Sequence, residues 1–241
     1  MLSTTGEITV AQISAKLDVT GETVRKDLIA LERQGLLRRV HGGALPVEHP
    51  SFGEPNVTSR VEYTEEKRRI ARAALAHLPR AGSVLLDSGS TTIQLAELIP
   101  PERQLTVFTN ALPIALNLLT RPTFAVYLLG GRVRGTSLAS VEGWAARALE
   151  EINVDVLFLG TNGISLTRGL TTPDPAEAAI KRLMCACAHK RVLLVDSSKF
   201  GVASLCQHAD LNDIDVLITD TGLVDADRTA LEAAGITVEI A

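Results

Sequence analysis

The hydrophobic rhythm of the chain changes near residue 80. Before it, apolar positions recur every three or four residues among charged ones; after it, short unbroken apolar runs alternate with amphipathic stretches. In the opening segment Thr9 and Gln12 stand in capping-box spacing ahead of Val10, Ile13 and Leu17, which predicts a helix of two turns. Asp18 and Val19 make a turn. Thr20 then caps a second helix whose stripe is Val24, Leu28 and Leu31, and Gly35 closes it. The opposite arc of that helix carries Glu22, Arg25, Lys26, Ile29 and Arg33. Leu36 to Val40 followed by His41, Gly42, Gly43 and Ala44 reads as a strand and a turn, a wing beside a helix-turn-helix.

Pro46, Pro50, Gly53 and Pro55 interrupt any periodicity over residues 46–60, which predicts a linker. Helical spacing resumes through Leu78. From Ser83 the strand candidates are 84–87, 105–109, 124–129, 154–160, 192–196, 216–219 and 236–240, with helices near 92–99, 111–119, 140–150, 176–189 and 228–234. Continuous apolar strands alternating with helices imply a mainly parallel sheet covered on both faces. The expected fold class is therefore α/β: a winged helix-turn-helix domain over 1–45, the linker, and a Rossmann-like parallel-sheet domain over 61–241.

Aromatic residues make up only 3% of the chain, so its core is aliphatic. The net charge of −4 divides unevenly, +1 over residues 1–44 and −5 beyond. Arg25, Lys26, Arg33, Arg38 and Arg39 concentrate the positive charge where a small nucleic-acid module would need it. No apolar run approaches a membrane span and the start lacks the pattern of a secretion signal, so a cytoplasmic protein with no membrane partner is expected. Cys185, Cys187 and Cys206 form no even framework and read as buried, inert thiols, with no metal site and no cofactor expected.

Ligands of open parallel sheets bind beyond the carboxyl ends of the strands. Five such ends here are polar: Asp87 to Thr92, Thr109-Asn110, Gly130-Gly131-Arg132, Gly160 to Gly163, and Asp196 to Lys199. The first is the most suggestive. A strand ending at Asp87 runs through Ser88, Gly89, Ser90, Thr91 and Thr92 into a helix, Gly89 is expected to turn the backbone with positive φ, and the helix's first amides lack partners within it. Such a turn is either an anion cradle or an ordinary hydroxyl-capped helix start.

Residues 19–28, VTGETVRKDL, followed by LLRRVHGGA at 36–44, resemble the signature of the DeoR family of bacterial regulators of sugar metabolism, and the likeness continues through the chain. Lys26 departs from the family's usual arginine, and the family's additional first helix is represented only by a last turn near Met1. The resemblance implies that Thr20, Glu22, Thr23, Arg25 and Lys26 face DNA from the recognition helix, with Arg38, Arg39 and His41 extending contact through the wing. It implies a second domain like the ribose-5-phosphate isomerase superfamily, binding a phosphorylated sugar through Asp87, the 88–92 loop, Thr109, Asn110, Gly130, Gly131, Asn162 and Lys199. Glu177 and Lys181 also match family positions, although at i and i+4 they equally suit a surface ion pair.

The expected function is a DNA-binding transcriptional regulator, a repressor of sugar-metabolism genes modulated by a phosphorylated sugar. Its partners are operator DNA, the sugar phosphate and further copies of itself. The alternative is a sugar-phosphate isomerase. That chemistry needs a carboxylate base near the ligand; the loop at 160–164 contains no acid, which leaves Asp87, Asp196 and Glu177 as the candidate bases.

Overall fold

The structure is a computed structural model and describes residues 8–17, 19–33, 38–40, 43–45 and 63–241. The chain separates into two compact units, residues 1–58 and 59–241. In the first, β1 (Ile8–Thr9) leads into α1 (Val10–Leu17), followed by α2 (Gly21–Arg33), β2 (Arg38–Val40) and β3 (Gly43–Leu45). The capping box is present: Thr9 N–H donates to Gln12 Oε1 at 2.8 Å and Gln12 N–H to Thr9 Oγ1 at 3.2 Å. Thr20 Oγ1 accepts the Thr23 amide at 3.2 Å and so caps α2.

The three strands form an antiparallel sheet in the order β1-β3-β2, with Gly43 and Ala44 inside a strand rather than a turn. Val24 and Leu28 are buried against Ala44, with Val10, Ile13 and Leu31 packed around them. The helix stripe read from the sequence thus finds cover on the wing strand. The expected linker at 46–60 lies outside the described residues.

The second unit begins with α3 (Thr64–Ala74), and its main sheet comprises β4 (Ala81–Leu86), β5 (Gln104–Thr109), β6 (Phe124–Leu128), β9 (Val154–Leu159), β12 (Ala188–Leu194), β14 (Val216–Thr219) and β15 (Thr237–Ile240). All pairings are parallel, in the order β15-β14-β12-β9-β4-β5-β6. Period-two side chains on these strands feed two cores. Val84, Leu86, Phe158 and Val192 meet α3, α4 (Ser90–Leu98) and α5 (Leu112–Leu118) on one face; Leu85, Leu157 and Leu193 meet α6 (Gly143–Glu150), α7 (Pro175–Ala186) and α8 (Asp225–Ala233) on the other. The chain leaves β4 first toward β5 and β6 and later returns to its other side at β9, so the topological switch lies between β4 and β9.

Several expectations need correcting. The helix expected through His189 stops at Ala186, because Ala188 already pairs with Val154 and begins β12. Ser140 is not helical but lies in β8 (Ala139–Val141), which pairs with β7 (Arg132–Arg134). A further small sheet of β10 (Gly163–Ser165), β11 (Gly169–Thr172) and β13 (Cys206–Ala209) was not expected. Its strands are three or four residues long, and with so few positions no alternation stands out from the background.

Candidate functional site

At the switch point Asp87 follows directly on β4 with no solvent exposure. It forms an ion pair with Lys181, and its Oδ2 also accepts the Gly160 amide at 3.0 Å from the end of β9. Lys181 Nζ donates in addition to the Gly160 carbonyl at 3.0 Å. Burial pushes the Asp87 carboxyl above its ordinary value, while the charge and hydrogen bond of Lys181 pull it back. Asp87 Oδ1, equally enclosed, accepts nothing among the described residues.

One turn back along α7, Glu177 is buried and pairs with Arg134 of β7 at 2.7 Å, and Arg134 reaches Asp174 at 3.0 Å. Asp174 caps α7 through the Glu177 amide, with Pro175 at the first helical position. Thr172 links this pair to the loop after β9, donating from one hydroxyl that lies 2.9 Å from Asn162 Oδ1 and 3.3 Å from Glu177 Oε2. Glu177 and Lys181 are therefore not a surface pair. Each turns inward to a different partner.

The 88–92 segment sits beside this network: a Cβ placed on Gly160 would lie 3.6 Å from Asp87 Oδ2 and 3.7 Å from the Ser88 carbonyl. α4 begins at Ser90, two residues earlier than expected, and Ile93 N–H is the first amide to bond back, to the Gly89 carbonyl at 3.0 Å. Gly89 does not bend the chain through positive φ. Its φ of 163° is extended backbone open to any residue. Thr92 is buried and gives its hydroxyl proton to the Gly89 carbonyl, whereas Ser88, Gly89 and Ser90 are half-buried.

On the other side of β4, Thr109 is wholly engaged by main chain, donating to the Leu86 carbonyl at 2.7 Å and accepting the Ala111 amide at 3.0 Å. Asn110 is buried and donates to the Ser140 carbonyl at 3.4 Å, and its Oδ1 has no donor among the described residues. Gly130 and Gly131 follow β6, two strands from the switch point. Gly131 needs to be glycine, with φ of 128° and the Val141 carbonyl 2.6 Å from where a Cβ would stand. Lys199 lies in a single 3-10 turn after β12 and pairs with no carboxylate among the described residues. The next residue, Phe200, bridges to Ile164, which brings this turn against β10.

Two further buried groups complete the surroundings. Lys67 of α3 faces Asp196 at 3.8 Å, both sealed from solvent. His208 Nε2 lies 3.0 Å from Thr161 Oγ1, whose own proton goes to the Gly163 or Thr171 carbonyl, so the ring is the donor of that bond. Burial, helped by the cations of Lys181 and Arg182, pushes His208 down to about 2 and holds it neutral. A cavity of about 590 Å³ opens between Arg182, Cys185, Arg191, Gln207 and His208 and includes none of the expected effector residues. No cluster suited to a metal ion occurs among the described residues. Sequence reasoning missed Arg134 and Asp174; the Asp-Pro pair three residues before Glu177 was an available helix-start signal for the second.

In the first unit, Thr20 Oγ1 and Thr23 Oγ1 share a hydrogen bond at 2.9 Å at the start of α2. Glu22 and Arg25 form an exposed pair at 3.5 Å, and Lys26 is exposed beside them. Arg38 and Arg39 lie on β2. His41 is outside the described residues.

The family model for the DeoR C-terminal sensor domain matches residues 62–221, and that for the DeoR-like helix-turn-helix domain matches residues 1–49. The transcriptional regulator GlpR of Haloferax volcanii is 40% identical over 95% of this chain and 89% of its own length. The transcriptional repressor AccR of Agrobacterium fabrum is 31% identical over 93% and 86%. Among solved structures, ribose 5-phosphate isomerase A from Methanocaldococcus jannaschii aligns with TM-score 0.40 and 16% identity, covering 56% of this chain and 53% of that one. No helix among the described residues is long and apolar enough to cross a membrane.

Proposed function

The chain belongs to the DeoR family of transcriptional regulators, and from that premise we propose that it represses sugar-metabolism genes, with a phosphorylated sugar at the carboxyl end of its parallel sheet setting its affinity for operator DNA. It is a regulator and not an enzyme, and the isomerase alternative gives way to the family assignment. The observation that carries the effector reading is the buried Asp87–Lys181–Gly160 junction at the switch point, next in the chain to the loop that starts α4, with a carboxylate oxygen that accepts nothing among the described residues. Orphan acceptors suit sugar hydroxyls, while the α4 amides and Lys199 suit a phosphate. Arg25 and Lys26, exposed on α2, serve as the DNA-facing cations, and Thr20, Glu22, Thr23, Arg38, Arg39 and His41 complete the DNA-binding set. One module this small reads few base pairs, so the active species is at least a dimer.

The test is operator binding by fluorescence anisotropy, with and without a panel of sugar phosphates. Lys199→Ala should weaken the effect of the active sugar phosphate by about tenfold to a hundredfold in concentration, as expected for loss of one charge-assisted contact worth about 1.5–3 kcal/mol. DNA affinity without the sugar should stay the same. By linkage, operator DNA should change sugar affinity by the same factor as the sugar changes DNA affinity. A Lys199→Ala protein that loses DNA binding yet still binds the sugar phosphate as tightly as wild type would overturn the site.

A further inference from the structure

The two margins of the main sheet are treated differently. β15 carries Glu239, which engages His77 at 3.1 Å. β6 reads Phe-Ala-Val-Tyr-Leu and has neither charge nor proline, the usual devices that keep an edge strand from pairing with another chain. β6 is bonded to β5 on one side only, and its other side has no strand among the described residues. Around this bare edge the molecule exposes large apolar side chains. Tyr127, stacked on Phe108 with ring centroids 5.0 Å apart, is 55% exposed, and Trp144, against Gly130 at the strand's end, is 76% exposed. Leu116 on α5, Leu119 just after it, Leu128 on β6 and Val133 on β7 are exposed as well.

With aromatic side chains of roughly 150–250 Å² and the aliphatic ones somewhat smaller, the exposed fractions of these six amount to roughly 600–700 Å² of apolar surface. They flank the edge on both faces, Tyr127 with Phe108 and Trp144 on the side of α6 and Leu128 with Leu116 on the side of α5, and their total approaches the roughly 800 Å² that each partner contributes to a standard interface. The rim supplies an exposed ion pair, Arg132–Glu142 at 2.7 Å, so both signs of charge are present and a copy of the same surface meets no like-charge barrier. Glu142 holds this place at a φ of 74° and ψ of −165°, a backbone region essentially reserved for glycine.

We propose that the β6 edge is the two-fold interface at which two copies of this chain join. A two-fold axis normal to the sheet sets a strand antiparallel to its own copy, so the main sheet would continue from one protomer into the other, with Tyr127 and Trp144 as the apolar anchors. This rests on the reading of the active species as at least a dimer, and it names the surface which that reading leaves open.

Sedimentation velocity on the full chain across a concentration series tests it. Wild type should dimerise, and Trp144→Glu and Tyr127→Lys, made separately, should each weaken the dimer by a hundredfold or more while keeping the wild-type circular dichroism spectrum. Should one variant fail to fold, the other still decides. Hydrogen exchange on wild type gives a reading without substitution: the amides of β6 that point away from β5 should be protected in the dimer and lose that protection on dilution. A dimer unaffected by both folded variants overturns the surface and leaves the dimer reading standing. A wild type that stays monomeric with and without operator DNA overturns the dimer reading itself. Protection of those outward-pointing amides that persists in a monomer means that another part of the same chain covers the edge, and that also overturns the proposal.

Discussion

The two ends of the central sheet handle carboxylates in opposite ways. At the amino end Asp155 of β9 is exposed and accepts the Ser83 amide at 2.7 Å and the Ser83 hydroxyl at 2.8 Å from neighbouring β4, and these bonds lower its pKa. Gly82 makes room for it: at φ of 142°, a Cβ there would stand 2.6 Å from the Asp155 carboxylate. Asp215, just before β14 and two strands away, does similar work, accepting the Arg191 amide at 2.7 Å. At the carboxyl end Asp87, Glu177 and Asp196 are buried, and each is answered by a cation, Lys181, Arg134 and Lys67 respectively. Carboxylates capped by main chain in water add a little stability at small desolvation cost. Carboxylates sealed with cations seldom repay their desolvation, so their concentration where a ligand would bind points to function more than to stability.

That contrast can be broken most forcefully at Lys181. Lys181→Ala leaves Asp87 buried without its counter-charge and should cost about 3–5 kcal/mol in chemical denaturation, whereas the double variant Asp87→Asn with Lys181→Met should recover most of it. A single variant no worse than a surface substitution would end the argument. Arg134→Ala should come next, at about 1–3 kcal/mol, because Glu177 keeps its Thr172 contact and Asp174 is partly hydrated; a cost equal to that of Lys181→Ala would mean that the two ion pairs act as one unit. Asp155→Asn should be the mildest, about 1 kcal/mol or less after solvent screening.

Acid titration sharpens the comparison. Asp155 has a lowered folded pKa, so its contribution is fully present above the ordinary aspartate value near 4 and is lost as pH falls through the lowered value. Asp87 has a raised folded pKa, so its effect has the opposite sign: it favours the fold below the ordinary value, and that advantage is lost as pH rises through the raised one. Urea midpoints followed from about pH 3 to 6 should show the acid limb flattened in Asp155→Asn. In the Asp87→Asn, Lys181→Met double variant the opposing slope should disappear. Equal profiles in the two proteins would show that the two ends are not distinct.

Local signals made much of this legible in the sequence. The capping box at Thr9 and Gln12, the stripe at Val24, Leu28 and Leu31, and the apolar runs of the main strands all act over a few residues, and a linear reading captures such interactions. Strand ends were legible for the same reason, since a run such as Val84 to Leu86 stops where polarity begins. Partner choice was not. Glu177 and Lys181 have the spacing of a helix-surface pair, and only the sheet order, which sets Gly160 beside Asp87 and brings β7 against α7, turns them inward. Arg134 has no local pattern at all; it matters because a short hairpin carries it from the far side of the sheet to Glu177. Gly89 misled through its residue type, since glycine permits an unusual turn without requiring one.

The cysteines have a practical consequence. Burial lifts Cys185 to about 12 and also raises Cys187, and both are almost wholly enclosed. At neutral pH the thiolate fraction of a group at about 12 is on the order of one in a hundred thousand. Cys206 is half-buried on β13, in register with Thr172, whose hydroxyl contacts Asn162 and Glu177. A maleimide dye should therefore attach to the unaltered chain at Cys206 first, one strand away from the buried charge network, and its emission would follow that network optically with no cysteine removed.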